Sequence, residues 1–143
     1  MNGVDKSVSN MNLAPLMNAT LAIQIHVCAI TAAVVLTVAQ LVGRKGAIAH
    51  RAMGYAWATS MIAAAISSFF IHTINIIGPF SPIHLLSIFT LVMVPVGIYY
   101  ARQHKVRGHK ITMLNLVIFA LGGAGAFALF APGRIMHRVL FGG

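Results

Sequence analysis

The chain has 143 residues, of which 59% are apolar and 8% are charged, with ten Lys and Arg against one acidic residue. Soluble chains are roughly 45–50% apolar and about 25% charged, so this composition excludes an ordinary soluble domain. The single acid, Asp5, lies in the polar N-terminal stretch. Proton relays and acid–base catalysis that rely on carboxylates within the membrane are therefore disfavoured.

Four apolar runs divide the chain, and each reaches the ~20 residues that a membrane-spanning helix needs. We predict a polar tail over 1–14, a transmembrane domain over 15–131 and a basic tail over 132–143. The predicted spans are about 16–42, 50–77, 82–101 and 110–130. Because backbone polar groups in lipid must be satisfied internally, all four runs are predicted to be helices. The expected fold is all-α, a polytopic membrane protein.

Two loops, 43–51 and 102–110, carry most of the positive charge. Their seven cations are Arg44, Lys45, Arg51, Arg102, Lys105, Arg107 and Lys110. Because Lys and Arg are retained on the cytoplasmic side, both loops are predicted to be cytoplasmic and both termini outside. Since these cations adjoin membrane spans, we expect them to contact anionic lipid headgroups or a partner's carboxylates, and not nucleic acid.

The histidines indicate a weak internal repeat. His26 precedes His50 by 24 residues and His84 precedes His109 by 25, and a basic loop lies within each interval. The first two helices and the last two are therefore predicted to be structural repeats of each other, in an up-down-up-down bundle of two hairpins.

Several stretches carry a family resemblance. They are KG at 45–46 with HR at 50–51 and Gly54, FSPIHLLS at 80–87, RGHK at 107–110, and PGR at 132–134. Together they resemble the bacterial predicted membrane-protein family catalogued as domain of unknown function 2306. The resemblance implies a small bundle of helices in the bacterial inner membrane and supplies no activity.

The same histidines fall at two depths. His26 and His84 lie roughly 25 Å from the basic ends of their helices, as does His72, while His50 and His109 lie at those ends. In an up-down bundle His26 would face His84 across one diagonal, and His50 would face His109 across the other. A buried imidazole needs a hydrogen-bond partner or a metal. The nearest hydroxyl considered for His26, that of Thr37, is too distant along the helix.

Each diagonal pair could ligate the iron of a non-covalent haem b, with Arg51 and Lys110 beside the inner propionates. If His72 joins His26 and His84, a three-histidine metal site replaces the outer haem. The alternative is that these histidines simply hydrogen-bond to the backbone or lie among headgroups.

Three functions follow from the sequence. The first is a b-type haem protein in membrane electron transfer, through the paired histidines. The second is a non-catalytic accessory subunit of a larger respiratory or photosynthetic membrane complex, or a homo-oligomer. The third is a metal or small-molecule permease. Small residues recur every four positions from Ala52 to Ser68 and from Ala120 to Ala128. They favour close helix packing, or a cofactor ring lying on bare backbone.

Overall fold

The computed structural model describes residues 14–71 and 82–130 together with Val139. Within these residues every regular element is helical, and no strand is present. The elements are α1 (Ala14–Met17), α2 (Leu21–Val42), α3 (Ile48–Ser68), α4 (Pro82–Arg102), α5 (Val106–Asn115), a π-helical segment (Leu116–Gly123) and α6 (Ala124–Phe130). The predicted all-α class is confirmed for this part of the chain. The predicted tails, 1–14 and 132–143, lie almost wholly outside the described residues.

Three helices of the described ranges are long and apolar enough to cross a membrane. They are Leu21–Val42, His84–Arg102 and the continuous run Val106–Phe130, which joins α5, the π-helical segment and α6. The helix α3 is not among them, although its 21 residues would extend across about 30 Å. It packs against both α2 and α4 and buries seven of its residues. A helix covered by its neighbours needs less apolar surface, which explains its more polar composition.

The first long helix begins at Leu21 and not at residue 16, because the short helix α1 is separate. Thr20, at the N-cap of α2, has an extended backbone with φ −60° and ψ 152°. The Gln24 side chain donates to the carbonyls of Met17 and Ala19 at 3.1 and 3.3 Å. Because the last carbonyls of a helix lack partners within it, this amide stabilises the break between α1 and α2.

The helix α3 ends at Ser68, so residues 69–71 of the predicted second span are not part of this helix. The hydroxyls of Ser67 and Ser68 each donate to the carbonyl three residues earlier, at 3.0 and 2.6 Å. The N–H groups of Phe69 and Phe70 also bond three residues back, at 3.2 and 3.1 Å. Such bonds tighten the last turn and terminate a helix. Residues 72–81, including His72, lie outside the described residues.

The third predicted span agrees with α4, whereas the fourth begins earlier than predicted, at Val106. Arg107 and Lys110 are therefore on the first turns of α5 and not in a loop. The π-helical segment was not predicted. It includes Gly122 and Gly123, and such segments occur often at functional sites.

The interior of the fold is made of small and polar side chains, and the exterior carries the large apolar ones. The buried residues include Ala33, Ala58, Ala64, Ala65, Ala120, Ser68, Thr90 and Thr112. The exposed residues include Val35, Val38, Leu85, Val92, Ile118 and Phe119. This distribution suits a hydrocarbon solvent, where small residues let helices approach and large apolar side chains contact lipid.

Each long helix packs against the next one in sequence: α2 against α3, α3 against α4, and α4 against α5. The π-helical segment also contacts α2, so the last of the long helices packs against the first. The helices that would be diagonal in a bundle are therefore joined mainly through the ones between them. Histidines on α2 and α5 therefore meet the helix next to their own, α3 or α4.

Candidate functional site

A layer of polar side chains lies far from the basic loops; we call it the distal layer, comprising His26, Ser67, Ser68, His84 and Ser87. His26 Nδ1 lies 2.8 Å from the carbonyl oxygen of Ala64 and 3.2 Å from Ser67 Oγ. A carbonyl can only accept, so Nδ1 carries the proton and donates it across the α2–α3 interface. In the neutral ring the lone pair is then on Nε2.

This contact corrects one expectation from the sequence. The argument for a shared ligand assumed that the chain offers His26 no hydrogen-bond partner. The backbone of α3 supplies one, and the Ser67 hydroxyl, which itself donates to Ala64, adds a second acceptor. The case for a ligand therefore rests on the remaining nitrogen, Nε2, and not on an unsatisfied ring.

His84, on α4, contacts the same part of α3. Its side chain is 7% exposed, and its ring packs on Phe69 with the ring centroids 5.4 Å apart. Beside it, the hydroxyls of Ser68 and Ser87 are 2.5 Å apart and join α3 to α4. Since His26 and His84 both contact residues 64–69 of α3, they lie within about 8 Å of one depth.

A cavity of about 30 Å³ adjoins the distal layer. Its walls are mostly apolar, and they comprise four alanines, three larger apolar residues and three polar ones: Ala64, Ala65, Ala120, Ala124, Ile30, Met61, Leu86, His26, Ser87 and Thr90. A cavity of this volume holds one water molecule, and its polar groups would give that water partners. The small-residue stripes of α3 and of the Val106–Phe130 run thus meet at this point, next to His26.

At the opposite, basic end, His109 repeats the arrangement of His26. Its Nδ1 lies 2.9 Å from the carbonyl oxygen of Gly97, on α4. The carbonyl again fixes the proton on Nδ1 and leaves the lone pair on Nε2. Gly97 allows this contact, because a Cβ there would be 3.3 Å from Thr112 Cγ2 and 2.0 Å from Met113 Cε.

His50 completes the pair that the sequence predicts at the basic end. It is half-buried in the first turn of α3 and lies within electrostatic reach of His109. Among the described residues no group pairs with its buried Nδ1 atom. An unsatisfied buried donor or acceptor costs about 1–3 kcal/mol, so this atom favours a bound water or ligand.

The seven cations of residues 44–51 and 102–110 are all exposed and lie at this end; we call them the basic face. Arg102 Nη2 lies 3.4 Å from the hydroxyl of Tyr55, and this contact links the end of α4 to α3. Because Asp5 is the only acid in the sequence, the described residues contain no carboxylate that could pair with these cations.

The described residues contain no group of three metal-binding side chains. The three-histidine alternative is not tested by this result, because His72 lies outside the described residues. Sequence reasoning also missed the partners of the histidines, namely Ala64, Ser67 and Gly97. Every residue has a backbone carbonyl, so the sequence does not indicate which one a histidine will contact. The face of α3 that meets His26 is decided by how the helices pack.

The exposed apolar side chains, the small and polar interior and the three apolar helices define a helical membrane protein. The chain belongs to the family described as "Predicted membrane protein (DUF2306)", whose sequence model matches residues 23–139. The resemblance inferred from the motifs is thereby confirmed. Comparison with curated proteins and with solved structures gives no match. The family description states no activity, so function must be argued from the residues.

Proposed function

We propose that this protein binds haem b and takes part in electron transfer within the membrane. His26 and His84 would hold one haem, and His50 and His109 a second. The observation that carries the proposal is the common orientation of His26 and His109. Each donates Nδ1–H to a backbone carbonyl of the neighbouring helix, at 2.8 and 2.9 Å, and so keeps Nε2 as a lone-pair donor.

This orientation is the one that metal-ligating histidines use. Such a histidine donates its other ring N–H to a carbonyl or carboxylate, which fixes the tautomer and the direction of the ring. Histidine is a common axial ligand of haem iron, and facing helices of a bundle host such sites. A bound haem supplies one-electron chemistry, and the protein contributes its ligands and their orientation.

The histidine nitrogens suit haem iron as ligands, but the space between the helices is too small for a haem. The cavity beside His26 measures about 30 Å³, whereas ligand pockets measure roughly 300–1,000 Å³. Haem binding therefore requires the helices around this cavity to separate. Ala64 and Ala120 line it with side chains that end at Cβ, so a flat ring would meet bare backbone there once they part. The single cysteine, Cys28, belongs to no attachment motif, so the haem would be non-covalent.

At the basic end, the unpaired Nδ1 of His50 supports a second site next to His109. Arg51 directly follows His50, and Lys110 directly follows His109; both are exposed. Cations in these positions can neutralise haem propionates. The described residues contain no carboxylate that would repel those propionates.

The proposal includes a membrane topology. We infer that α3 crosses the bilayer as the second of four helices, since the helices on both sides of it are long and apolar enough to span and its own length suffices. The basic face then lies in the cytoplasm of a bacterial inner membrane, with both termini outside. A reporter fused after Gly143 should be active only on the outer side, and activity only in the cytoplasm would contradict this topology.

The test of the function is the visible spectrum of the protein purified with haem supplied. We expect a Soret band that shifts on adding dithionite, with two components. His26→Ala should remove one component and His109→Ala the other, while the fold, followed by circular dichroism, is retained. His104→Ala is the matched control, because His104 is exposed in the turn between α4 and α5.

A colourless protein after haem supplementation would refute the haem proposal. The accessory-subunit alternative would then be favoured by the basic face, whose cations have no carboxylate partner in the described residues and could pair with those of a larger complex or contact anionic lipid. Near an anionic surface each such cation contributes about 1 kcal/mol. Replacing Arg102, Lys105 and Arg107 with Gln should then loosen a co-purifying complex or lower retention on anionic liposomes.

A further inference from the structure

A groove of about 320 Å³ lies between α3 and α4 at the basic end, and no histidine lines it. It is lined by Tyr55, Pro95, Ile98, Tyr99 and Arg102. Its volume is ten times that of the cavity beside His26 and falls at the lower end of the roughly 300–1,000 Å³ of ligand pockets. The groove is therefore large enough to hold part of an organic molecule.

The polar end of the groove is built to bind an anion. Arg102 Nη2 donates to the Tyr55 hydroxyl at 3.4 Å, so the hydroxyl hydrogen is left to bond an incoming acceptor. A guanidinium has five N–H donors, and within the described part of the chain the Arg102 guanidinium makes one hydrogen bond, to Tyr55. The described residues offer it no carboxylate. A phosphate, with several acceptor oxygens, satisfies both groups.

The other end of the groove is apolar. Pro95 and Ile98 lie on α4 about 10 Å and 6 Å before Arg102, in the direction that leads away from the basic face. Tyr55 and Tyr99 flank the groove and are 49% and 55% exposed. Tyrosines are enriched at the depth where lipid headgroups meet hydrocarbon. The groove thus presents a cationic head and an apolar floor to the surrounding membrane.

We propose that this groove binds one anionic phospholipid molecule. Its phosphate contacts Arg102 and the Tyr55 hydroxyl, and an acyl chain lies along Pro95 and Ile98. This site does not depend on haem, and it is narrower than the general attraction of the basic face to anionic lipid. Among the seven cations of the basic face, Arg102 alone lines the groove.

The experiment measures binding of phosphatidylglycerol to the full chain in a neutral detergent, by native mass spectrometry. Arg102→Gln should weaken binding about tenfold, which corresponds to losing one charge-assisted hydrogen bond. Arg107→Gln removes the same charge from the same face outside the groove, and it should change binding less than about twofold. Tyr55→Phe deletes only a hydroxyl, and it should weaken binding by about threefold; it keeps the test valid if Arg102→Gln fails to fold.

Three results would overturn the site. Equal losses for Arg102→Gln and Arg107→Gln would show diffuse attraction to the whole basic face. Phosphatidylcholine that binds as tightly as phosphatidylglycerol would show that the anionic headgroup is not recognised. Displacement of the lipid by inorganic phosphate would identify a free-anion site, since the phosphate lacks the acyl chain that should contact Pro95 and Ile98. Each result is independent of whether the protein binds haem.

Discussion

The imidazole of His109 donates its Nδ1 proton to the carbonyl of Gly97, 2.9 Å away across the α4–α5 interface. This bond requires the two helices to lie close together, and two glycines permit it. A Cβ at Gly97 would contact Thr112 and Met113, and a Cβ at Gly108 would lie 3.1 Å from the ring of Tyr100. The glycines and the histidine therefore act together to set the geometry of the basic end.

The first prediction is that Gly97→Val destabilises the protein by about 1–3 kcal/mol, because the added side chain overlaps Met113 and crowds Thr112, so that α5 must repack against α4. The matched control is Gly123→Val, since nothing lies within 4 Å of a Cβ at that position. Thermal unfolding in detergent measures both. Equal melting temperatures for the two variants would show that α4 and α5 do not depend on a close approach at Gly97.

The second prediction concerns the hydrogen bond from Trp57 Nε1 to Thr37 Oγ1, which is 2.8 Å long and buried between α2 and α3. Thr37→Val keeps the shape and removes the acceptor, so it should cost about 1–2 kcal/mol through the unpaired indole N–H. Since Trp57 is the only tryptophan, its fluorescence reports the change directly. Thr31→Val is the control, because exposed Thr31 bonds only within its own helix, to Val27. A Thr37→Val variant as stable as Thr31→Val would contradict the assigned contact.

The third prediction tests the small residues beside the cavity. Ala64 is 3% exposed, and Ala64→Leu should destabilise the helix packing by about 1–3 kcal/mol, because the cavity is too small for the larger side chain. Ala126→Leu, at an exposed position of α6, should melt like the parent protein. If haem binds at His26, Ala64→Leu should also reduce that spectral component. Unchanged melting for Ala64→Leu would mean that this stripe faces lipid.

The fourth prediction concerns His104, which adopts a positive φ of 54° in the turn after α4. Side chains with a Cβ rarely take this conformation, whereas glycine does so readily. His104→Gly should therefore leave stability unchanged or raise it by up to about 1 kcal/mol. Gln103→Gly, one residue earlier, should not raise it. A clear loss of stability in His104→Gly would show that the imidazole makes a contact important for the turn.

The sequence alone determined that this is a helical membrane protein. Its apolar runs, its single acid and its two basic loops fix the class, because a bilayer admits only helices whose backbone is satisfied internally. It also predicted that His26 and His84 share one depth, and that His50 and His109 share another, since the rise of a helix converts spacing into distance. These are properties of single helices and their order.

Tertiary structure decided what each histidine touches. The partners of His26 and His109 are backbone carbonyls on neighbouring helices, and carbonyls look alike at every position of a sequence. It also decided that α3 ends at Ser68, where the hydroxyls of Ser67 and Ser68 bond to its own last turns. The groove at Arg102 exists only because Tyr55 of α3 meets α4 there. Contacts between helices depend on which faces pack together, and periodic small residues allow several such packings, so only the folded chain selects one.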